Sequence, residues 1–594
     1  MPAVEGSHVL LIEDLGQQRL PARSLAAVLR QAGLSAQVVH FGAGDDPQGV
    51  VELAQQARPA LIVLSILFAH RVAEYLALAG GLRAAGVAGH ITMVGPLPSM
   101  AYAELLAACP ALDSVLCGEA EASLPELAAR LPSPGGLPSP GGLPRPVQAG
   151  PRTQMRDTRL PGGETWQDVP GLASRRPAPH PLLPPPSAQY SQSGGGAGPA
   201  PSRSGGTLRA NPLPRLIANL DELPFPARDE GNAAGPGISF ATVEASRGCY
   251  HTCTFCLPCA FYRASPGPTY RLRGIPHLVA EIETLYRGGV RLFLFDDEQF
   301  LPPGRARHRR VEALADELRQ RGLEIAFTIK CRADDVEEAL FRQLQAIGLV
   351  RVYVGIESGC QASLDVLGKG LPVECNTRAL ALLHELGILA DFRCLMFHPW
   401  STLETLRADL EFLEEVLPTM STPFAFHEVE CYPGTPLAPR LLAAGPALAG
   451  AGIDSWPLDK DFRVPYTISA PGAELLRRLG RLVFGVRQAQ GSMLDQLNWA
   501  WYQLVLGRRF RPSNRVAERI DGLRDLVVRL NRASLAVWWE MWSFAAHGDL
   551  HDPDLVNPRA AAWAGRIRHL DLMIEEELSK IPIPDTIETE VNPC

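Results

Sequence analysis

A chain of 594 residues is long enough for several domains, and 46% hydrophobic with 20% charged residues is ordinary globular composition. The net charge of −8 excludes the basic footprint of a general nucleic-acid binder. The start, MPAVEGSHVLLIED, has no secretory pattern, apolar runs such as ALIVLSILFA fall short of the roughly 20 residues a membrane span needs, and the 12 cysteines show no even disulfide spacing, so a soluble, reducing, cytoplasmic protein is expected.

Residues 7–130 read as alternating strand and helix. HVLLIED, AQVVHF, ALIVLSIL, HITMVG and DSVLCG are buried-strand candidates. Ser24 is placed to cap a helix with Leu25, Val28 and Leu29 on one face, and RVAEYLALAGGLRAAG is another helical segment. The alternation predicts an α/β, doubly wound parallel sheet. Ligands of such sheets sit beyond the strand carboxyl ends, which directs attention to the loops Ser65–Arg71, Gly95–Ser99 and Gly118–Glu121.

Residues 131–212 differ. LPSPGG occurs twice in tandem, followed later by PLLPPPS and SGGGAGPAPSRSGG. Such composition buries too little apolar surface to offset ordering entropy, so a flexible linker is expected.

From Phe240 the alternation resumes through about six strand–helix units, SFATVEASRG to FAFHEVECYP. That number suits a partial (β/α)6 barrel of the TIM type, whose catalytic groups sit at strand carboxyl ends. Between the first two units stands SRGCYHTCTFCLPC. Cys249, Cys253 and Cys256 offer three thiolates at C-x-x-x-C-x-x-C spacing, whereas a four-iron cluster has four corners to fill. One iron would stay open for an outside ligand. Cys259 follows closely enough that counting alone also permits a closed site. Zinc normally requires a second ligand pair at short spacing, and none follows.

With these residues on view, the chain resembles the cobalamin-dependent branch of the radical S-adenosylmethionine (SAM) enzymes. GCYHTCTFC matches that family's cluster motif; LDELPFPARDE, FLFDDEQF, IKCRADD, VYVGIESG and ECYPGT follow in its order. The resemblance covers roughly residues 1–130 and 213–440. It implies a Rossmann-like cobalamin-binding domain over 1–130, a linker over 131–212, a radical SAM domain over 213–444 and a mainly helical domain over 445–594.

The resemblance also implies roles. A [4Fe-4S] cluster is expected on Cys249, Cys253 and Cys256. SAM is expected near Phe255, which would pack on adenine, and near Asp296, Asp297, Arg332, Glu357 and Arg393. Asp296 and Asp297 equally suit a solvated turn, and Arg332 with Glu357 equally suits an inter-strand salt bridge. Arg393, inside FRCLMF, is expected to have a partner, because an unpaired buried guanidinium is costly. Cobalamin is expected against Ser65, Leu67, His70, Arg71, Gly95, Pro96, Gly118 and Glu119. The D-x-H-x-x-G motif that supplies a cobalt-ligating histidine in relatives is absent from residues 1–130. Either no protein histidine ligates cobalt, or His70 substitutes.

Seven of the nine tryptophans fall in residues 445–594. They read as helix-packing residues, with an aromatic substrate wall as the alternative. The family resemblance implies methyl transfer from SAM, by way of cobalamin, to a carbon of a small-molecule or peptide substrate such as a secondary-metabolite precursor, as in antibiotic biosynthesis. It implies an external electron donor such as flavodoxin or ferredoxin, and neither nucleic-acid nor membrane partners. The rival readings are a cobalamin enzyme that closes rings or oxidises without methyl transfer, and a corrinoid-binding sensor or carrier. A methylthiotransferase would need three more cysteines in residues 1–248, where only Cys109 and Cys117 stand.

Overall fold

Val9 and Leu11 face one side of the first sheet and Leu10 and Ile12 the other, and all four are fully buried. A strand apolar on both faces needs helices on both faces, and that is what forms. The computed structural model describes residues 8–14, 20–67, 69–131, 165–175, 208–228, 233–235, 238–423, 426–444, 458–488, 493–547 and 553–580.

The first domain contains strands β1 (Val9–Glu13), β2 (Ala36–His40), β3 (Leu61–Ser65), β4 (His90–Val94) and β5 (Ser114–Leu116). Its helices are α1 (Leu20–Gln31), α2 (Pro47–Ala57), α3 (Val72–Ala84), α4 (Pro96–Met100), α5 (Tyr102–Ala108) and α6 (Ala120–Arg130). These five strands are parallel in the order β2-β1-β3-β4-β5. Strands β6 (Leu172–Arg175) and β7 (Leu208–Ala210) extend the sheet antiparallel at the β5 edge.

Those last two strands correct the linker expectation. The tandem LPSPGG and the PLLPPPS and SGGGAGPAPSRSGG runs lie outside the described residues. Residues 165–175 and 208–212, however, belong to the first domain. Val169 and Leu172 are buried in its core, and Trp166 meets His90 edge-on at 4.6 Å between ring centres. An apolar island within a Pro/Gly-rich stretch suffices to add a strand where an edge is open.

The second sheet has six parallel strands: β9 (Ile238–Val243), β12 (Leu292–Phe295), β13 (Ala326–Arg332), β14 (Leu349–Glu357), β15 (Leu389–Phe397) and β16 (Phe426–Glu428). Antiparallel β8 (Ala233–Gly235) closes the β9 edge. A separate hairpin, β10 (Ser246–Gly248) with β11 (Tyr270–Leu272), rises from the end of β9. The helices of this half are α7 (Leu257–Ala264), α8 (Ile275–Arg287), α9 (Ala306–Gln320), α10 (Glu338–Ala346), α11 (Gln361–Val366), α12 (Val373–Glu385), α13 (Leu403–Val416) and α14 (Leu437–Ala443).

Four further helices follow: α15 (Pro471–Phe484), α16 (Met493–Phe510), α17 (Asn514–His547) and α18 (Pro553–Ser579). Leu497, Trp501, Leu504 and neighbours on α16 pack on Phe240, Leu292, Ala326, Val350 and Leu389, the residues at or near the amino ends of the barrel strands. The barrel is thus stoppered at that end. Trp538 stacks on Phe484 at 5.1 Å and 8° and joins α15 and α17 to Phe397 of β15. Trp501 and Trp538 are fully buried, so these two tryptophans are core residues. No described helix is long and apolar enough to cross a membrane.

Because Trp538 ties the helical region to the barrel, Trp538→Ala should destabilise the protein by about 3–5 kcal/mol and Trp538→Phe by less. Denaturant unfolding followed by tryptophan fluorescence and circular dichroism checks this.

Candidate functional site

Alternation along the barrel strands sorts their side chains. Phe293, Phe295, Ile329, Cys331, Val352, Val354, Ile356, Phe392, Cys394 and Met396 enter the outer core. Asp296, Lys330, Arg332, Tyr353, Glu357, Asp391, Arg393 and His427 therefore share the inner, polar side.

The cysteine loop begins where β10 ends. Gly248 has φ +81, and a Cβ there would lie 1.9 Å from the Thr269 carbonyl oxygen, so the tight hairpin before Cys249 requires glycine. The Gly248 N–H donates to Glu298 at 3.0 Å. Asp297, fully buried, accepts from the Ala245 N–H at 3.2 Å and from the Ser246 hydroxyl. Burial pushes its carboxyl up to about 6 against those bonds. Asp297 and Glu298 thus fasten the hairpin, while Asp296 meets Lys330 Nζ at 2.7 Å.

The loop is also tied on its far side. Thr254 donates its N–H to Leu367 and its hydroxyl to Val366, both at 2.9 Å, and accepts from the Leu437 N–H at 2.9 Å. Cys253 is buried and Cys249 and Cys256 are half-buried. The neighbouring Cys259 thiol holds Cys249 down to about 7 and lowers Cys256, whereas burial raises Cys253. Among the described residues no set of three or more His, Cys, Asp or Glu converges on a single ion. Three cysteines on one loop, two of them held toward thiolate, are a donor set suited to an iron–sulfur cluster. Phe255 packs, half-buried, against the apolar cluster that holds Leu367, Val429, Cys431 and Leu437 beside that loop.

Arg332 and Glu357 do not pair directly. Arg332 bonds Asp334 at 2.8 Å and the Lys369 carbonyl at 2.5 Å, and approaches Cys253 Sγ at 3.9 Å. Glu357 receives Lys369 Nζ at 3.1 Å. Lys369, between two glycines in GKG, is the residue the sequence reading missed. Glu357 itself is held at φ +63 beside a bulge in the β14–β15 pairing, the kind of strain that collects at functional sites. Arg393 corrects an expectation. Its side chain turns to the inner side of the barrel, is exposed, and has no hydrogen bond or ion pair among the described residues.

In the first domain an open cleft is lined by Glu13, Asp14, Pro21, Ser65, Ile66, Leu67, Arg71 and Tyr75. Ser65, Leu67 and Arg71 are brought together there, and His70, exposed, is not part of the lining. Arg71 donates Nη2 to the Phe41 carbonyl at 2.8 Å, pairs through Nη1 with Glu74 at 2.9 Å and sets Nε 3.8 Å from Asp14. Gly95 has φ +126, and a Cβ there would meet the Ile66 carbonyl at 2.2 Å. Pro96 opens α4, whose Ser99 hydroxyl accepts from the Gly118 N–H at 3.1 Å. Glu119 points to the barrel: it pairs with Arg271 at 2.7 Å and accepts from the Ile217 N–H at 2.8 Å. A cleft at the strand ends, beside a glycine crossing and lined by Arg71, Glu13 and Asp14, presents polar groups of both signs where ligands of such sheets bind.

The two sets of strand ends face each other. Leu257, directly after Cys256, is buried in the first domain's core beside Leu97 of α4. Gly434 of ECYPGT abuts Met100, whose sulfur would lie 2.5 Å from a Cβ added there.

Gly248→Ala should keep the fold but sharply lower cluster iron, since φ alone costs about 1–3 kcal/mol before the clash is counted; iron assay and circular dichroism read this. A second expectation concerns Asp409, fully buried under the GIESG turn, where it accepts from Ser358 Oγ at 2.6 Å and the Gly359 N–H at 2.7 Å. Burial pushes its carboxyl up to about 7. The folded state then binds the proton more tightly than the unfolded chain, whose carboxyl titrates near ~4. Its contribution is full below that value and is lost as pH rises toward 7, by up to about 1.4 kcal/mol per pH unit. Asp409→Asn should flatten that slope in denaturation measured from pH 4 to 7.

The B12 binding domain family matches residues 17–128, and the Radical SAM superfamily matches residues 243–413. An uncharacterised methyltransferase of Pyrococcus horikoshii is 27% identical over 244 residues, 40% of this chain and 50% of that protein. An anaerobic magnesium-protoporphyrin IX monomethyl ester cyclase of Rubrivivax gelatinosus is 31% identical over 197 residues, 32% of this chain and 34% of that protein. These matches span half or less of the relatives' length. The cobalamin-dependent S-adenosylmethionine radical enzyme OxsB, solved with aqua-cobalamin and S-adenosylmethionine bound, shares the fold: TM-score 0.63 at 17% identity, covering 98% of this chain and 82% of that one. With a B12 binding domain set ahead of a radical SAM domain, the chain belongs to the cobalamin-dependent branch of the radical SAM enzymes.

Proposed function

We propose that this protein is a methyltransferase that moves a methyl group from SAM, by way of cobalamin, to a carbon of a small-molecule or peptide substrate. The observation that carries the reading is the opposition of the two sets of strand ends, with the cysteine loop on one side and the Ser65–Arg71 cleft on the other. Groups bound at the two faces would address one substrate between them. When bound, the reduced cluster, SAM and cobalamin supply the methyl group and the radical that opens a carbon–hydrogen bond.

The chain's own residues hold and exclude. Cys249, Cys253 and Cys256 carry the cluster, and Phe255 offers an apolar face to adenine. Lys369, Glu357, Arg332 and Arg393 offer donors and an acceptor to the amino, carboxylate and ribose groups of SAM. Asp296, paired with Lys330, stands on the same inner side. Ser65, Leu67, Arg71, Gly95 and Pro96 line the cobalamin face, with Gly118 at its edge, while the Glu119 carboxylate turns away to Arg271. The α16 stopper keeps water from entering through the barrel's amino end. His70, outside the cleft lining, is not assigned to cobalt. Electrons would come from an external donor such as flavodoxin or ferredoxin, and a secondary-metabolite precursor is the substrate class that the family favours.

The Rubrivivax relative named as a cyclase keeps a second reading in view, ring formation on the same cofactors without methyl transfer. Incubation with SAM deuterated in its methyl group separates the two: the methyltransferase product carries the labelled methyl, and a cyclised product only loses hydrogen. Cys253→Ala should lose most iron and all SAM cleavage, while Cys259→Ala keeps a SAM-binding cluster. Loss of the cluster in Cys259→Ala alone would overturn the ligand assignment.

A further inference from the structure

Arg247 and Arg271 stand directly opposite one another in the β10–β11 hairpin, with only 6% and 4% of their surface exposed. Like charges facing across two strands destabilise a hairpin, and burial worsens the repulsion. The hairpin's own acid relieves part of it, since Glu244 takes Arg247 Nε at 2.8 Å. The rest comes from the first domain. Glu119 receives Arg271 Nη1 on both oxygens, at 2.8 and 2.7 Å, and lies 3.5 Å from Arg247. Glu121 takes Arg247 Nη1 at 2.7 Å. Arg271 Nε and Nη2 are buried with no other hydrogen-bond partner among the described residues.

Glu119 also forgoes a local role to do this. It occupies the position before the first turn of α6 yet makes no cap bond to that helix. Its second oxygen accepts the Ile217 N–H instead, while Ile217's carbonyl accepts from Arg271 at 3.1 Å. Arg247 stands two residues before Cys249, so whatever orders the hairpin orders the start of the cysteine loop.

We propose that Glu119 and Glu121 are positioning residues that latch the loop after β5 onto the arginine pair of the hairpin, so that docking of the two domains completes the ordering of the cysteine loop. This rests on the proposed function for the loop's purpose, but the latch itself is testable without cofactors. Glu119 then acts on the cluster side through Arg271 and Arg247 rather than by touching cobalamin.

The test is hydrogen–deuterium exchange on the cofactor-free full chain, followed by iron content after reconstitution. Glu119→Gln should speed amide exchange across Ser246–Gly248 and Tyr270–Leu272 by roughly tenfold or more and lower iron per chain. Removing one of the facing cations, in Glu119→Gln with Arg271→Met, should restore both protection and iron, an outcome that a generally misfolded Glu119→Gln protein would not give. Wild-type exchange in Glu119→Gln, a double variant no better than the single, or loss of cobalamin with hairpin protection unchanged would each overturn the latch. If the wild-type protein instead takes up neither iron nor cobalamin while the hairpin exchange behaves as stated, the proposed function falls and the latch stands.

Discussion

Two-residue alternation along parallel strands is the constraint on which the site depends. In β13, β14 and β15 every second residue is held in the outer core by helices, which leaves its neighbours no direction but inward. The polar inner wall of the barrel is therefore a by-product of packing its outside. Lys330, Tyr353, Glu357 and Arg393 are presented by elements whose apolar faces fix their positions, so little of the wall's geometry is left to loops. Where a loop does carry chemistry, at Cys249–Cys256, it is fastened on both flanks, by Asp297 and Glu298 on one and by the Thr254 bonds to Val366, Leu367 and Leu437 on the other.

The same economy joins the domains. Each sheet is apolar on its covered face and polar at its carboxyl edge, so two such edges brought together would normally meet as a wet, weak seam. Here the seam is filled by charge pairs that are individually buried and matched, Glu119 and Glu121 with Arg271 and Arg247, and by the apolar contact of Leu257 with the core of the first domain. Buried pairs of this kind specify a single relative placement more than they add stability. For chemistry that passes between two faces, a fixed placement is the useful property.

Much of this was legible in the sequence because it is periodic or punctuated. The strands β1 to β5 appear as short apolar runs, and the cysteine spacing and Pro/Gly content mark the loop and the composition break. What was not legible depends on which residue meets which. Arg393 looked buried among FRCLMF, but alternation turns it to the open side of the barrel. Arg332 and Glu357, adjacent by strand order, are separated by Lys369, which comes from a turn that no periodic signal highlights. The strands β6 and β7 hid in a Pro/Gly-rich stretch because Trp166, Val169 and Leu172 form an island too short to register as an element. Glu119 read as a loop residue facing a ligand, and only the fold shows the two arginines that take it.

The opposition of the two carboxyl edges has an electrostatic consequence. In a strand–helix alternation each helix starts where its strand ends, so α6 of the first domain and α9, α10, α12 and α13 around the barrel all begin toward the same seam. Every helix start carries the equivalent of roughly half a positive elementary charge. Burial, reinforced by neighbouring carboxylates, drives Glu244 and Asp297 toward protonation there; Arg247 opposes this at Glu244 and Arg310 at Asp297, and the converging dipoles pull the same way as these cations. These dipoles are set by the backbone and need no reorientation when charge changes. A group that gains an electron or sheds a proton between the two sheets is therefore met by a field already aligned to receive negative charge.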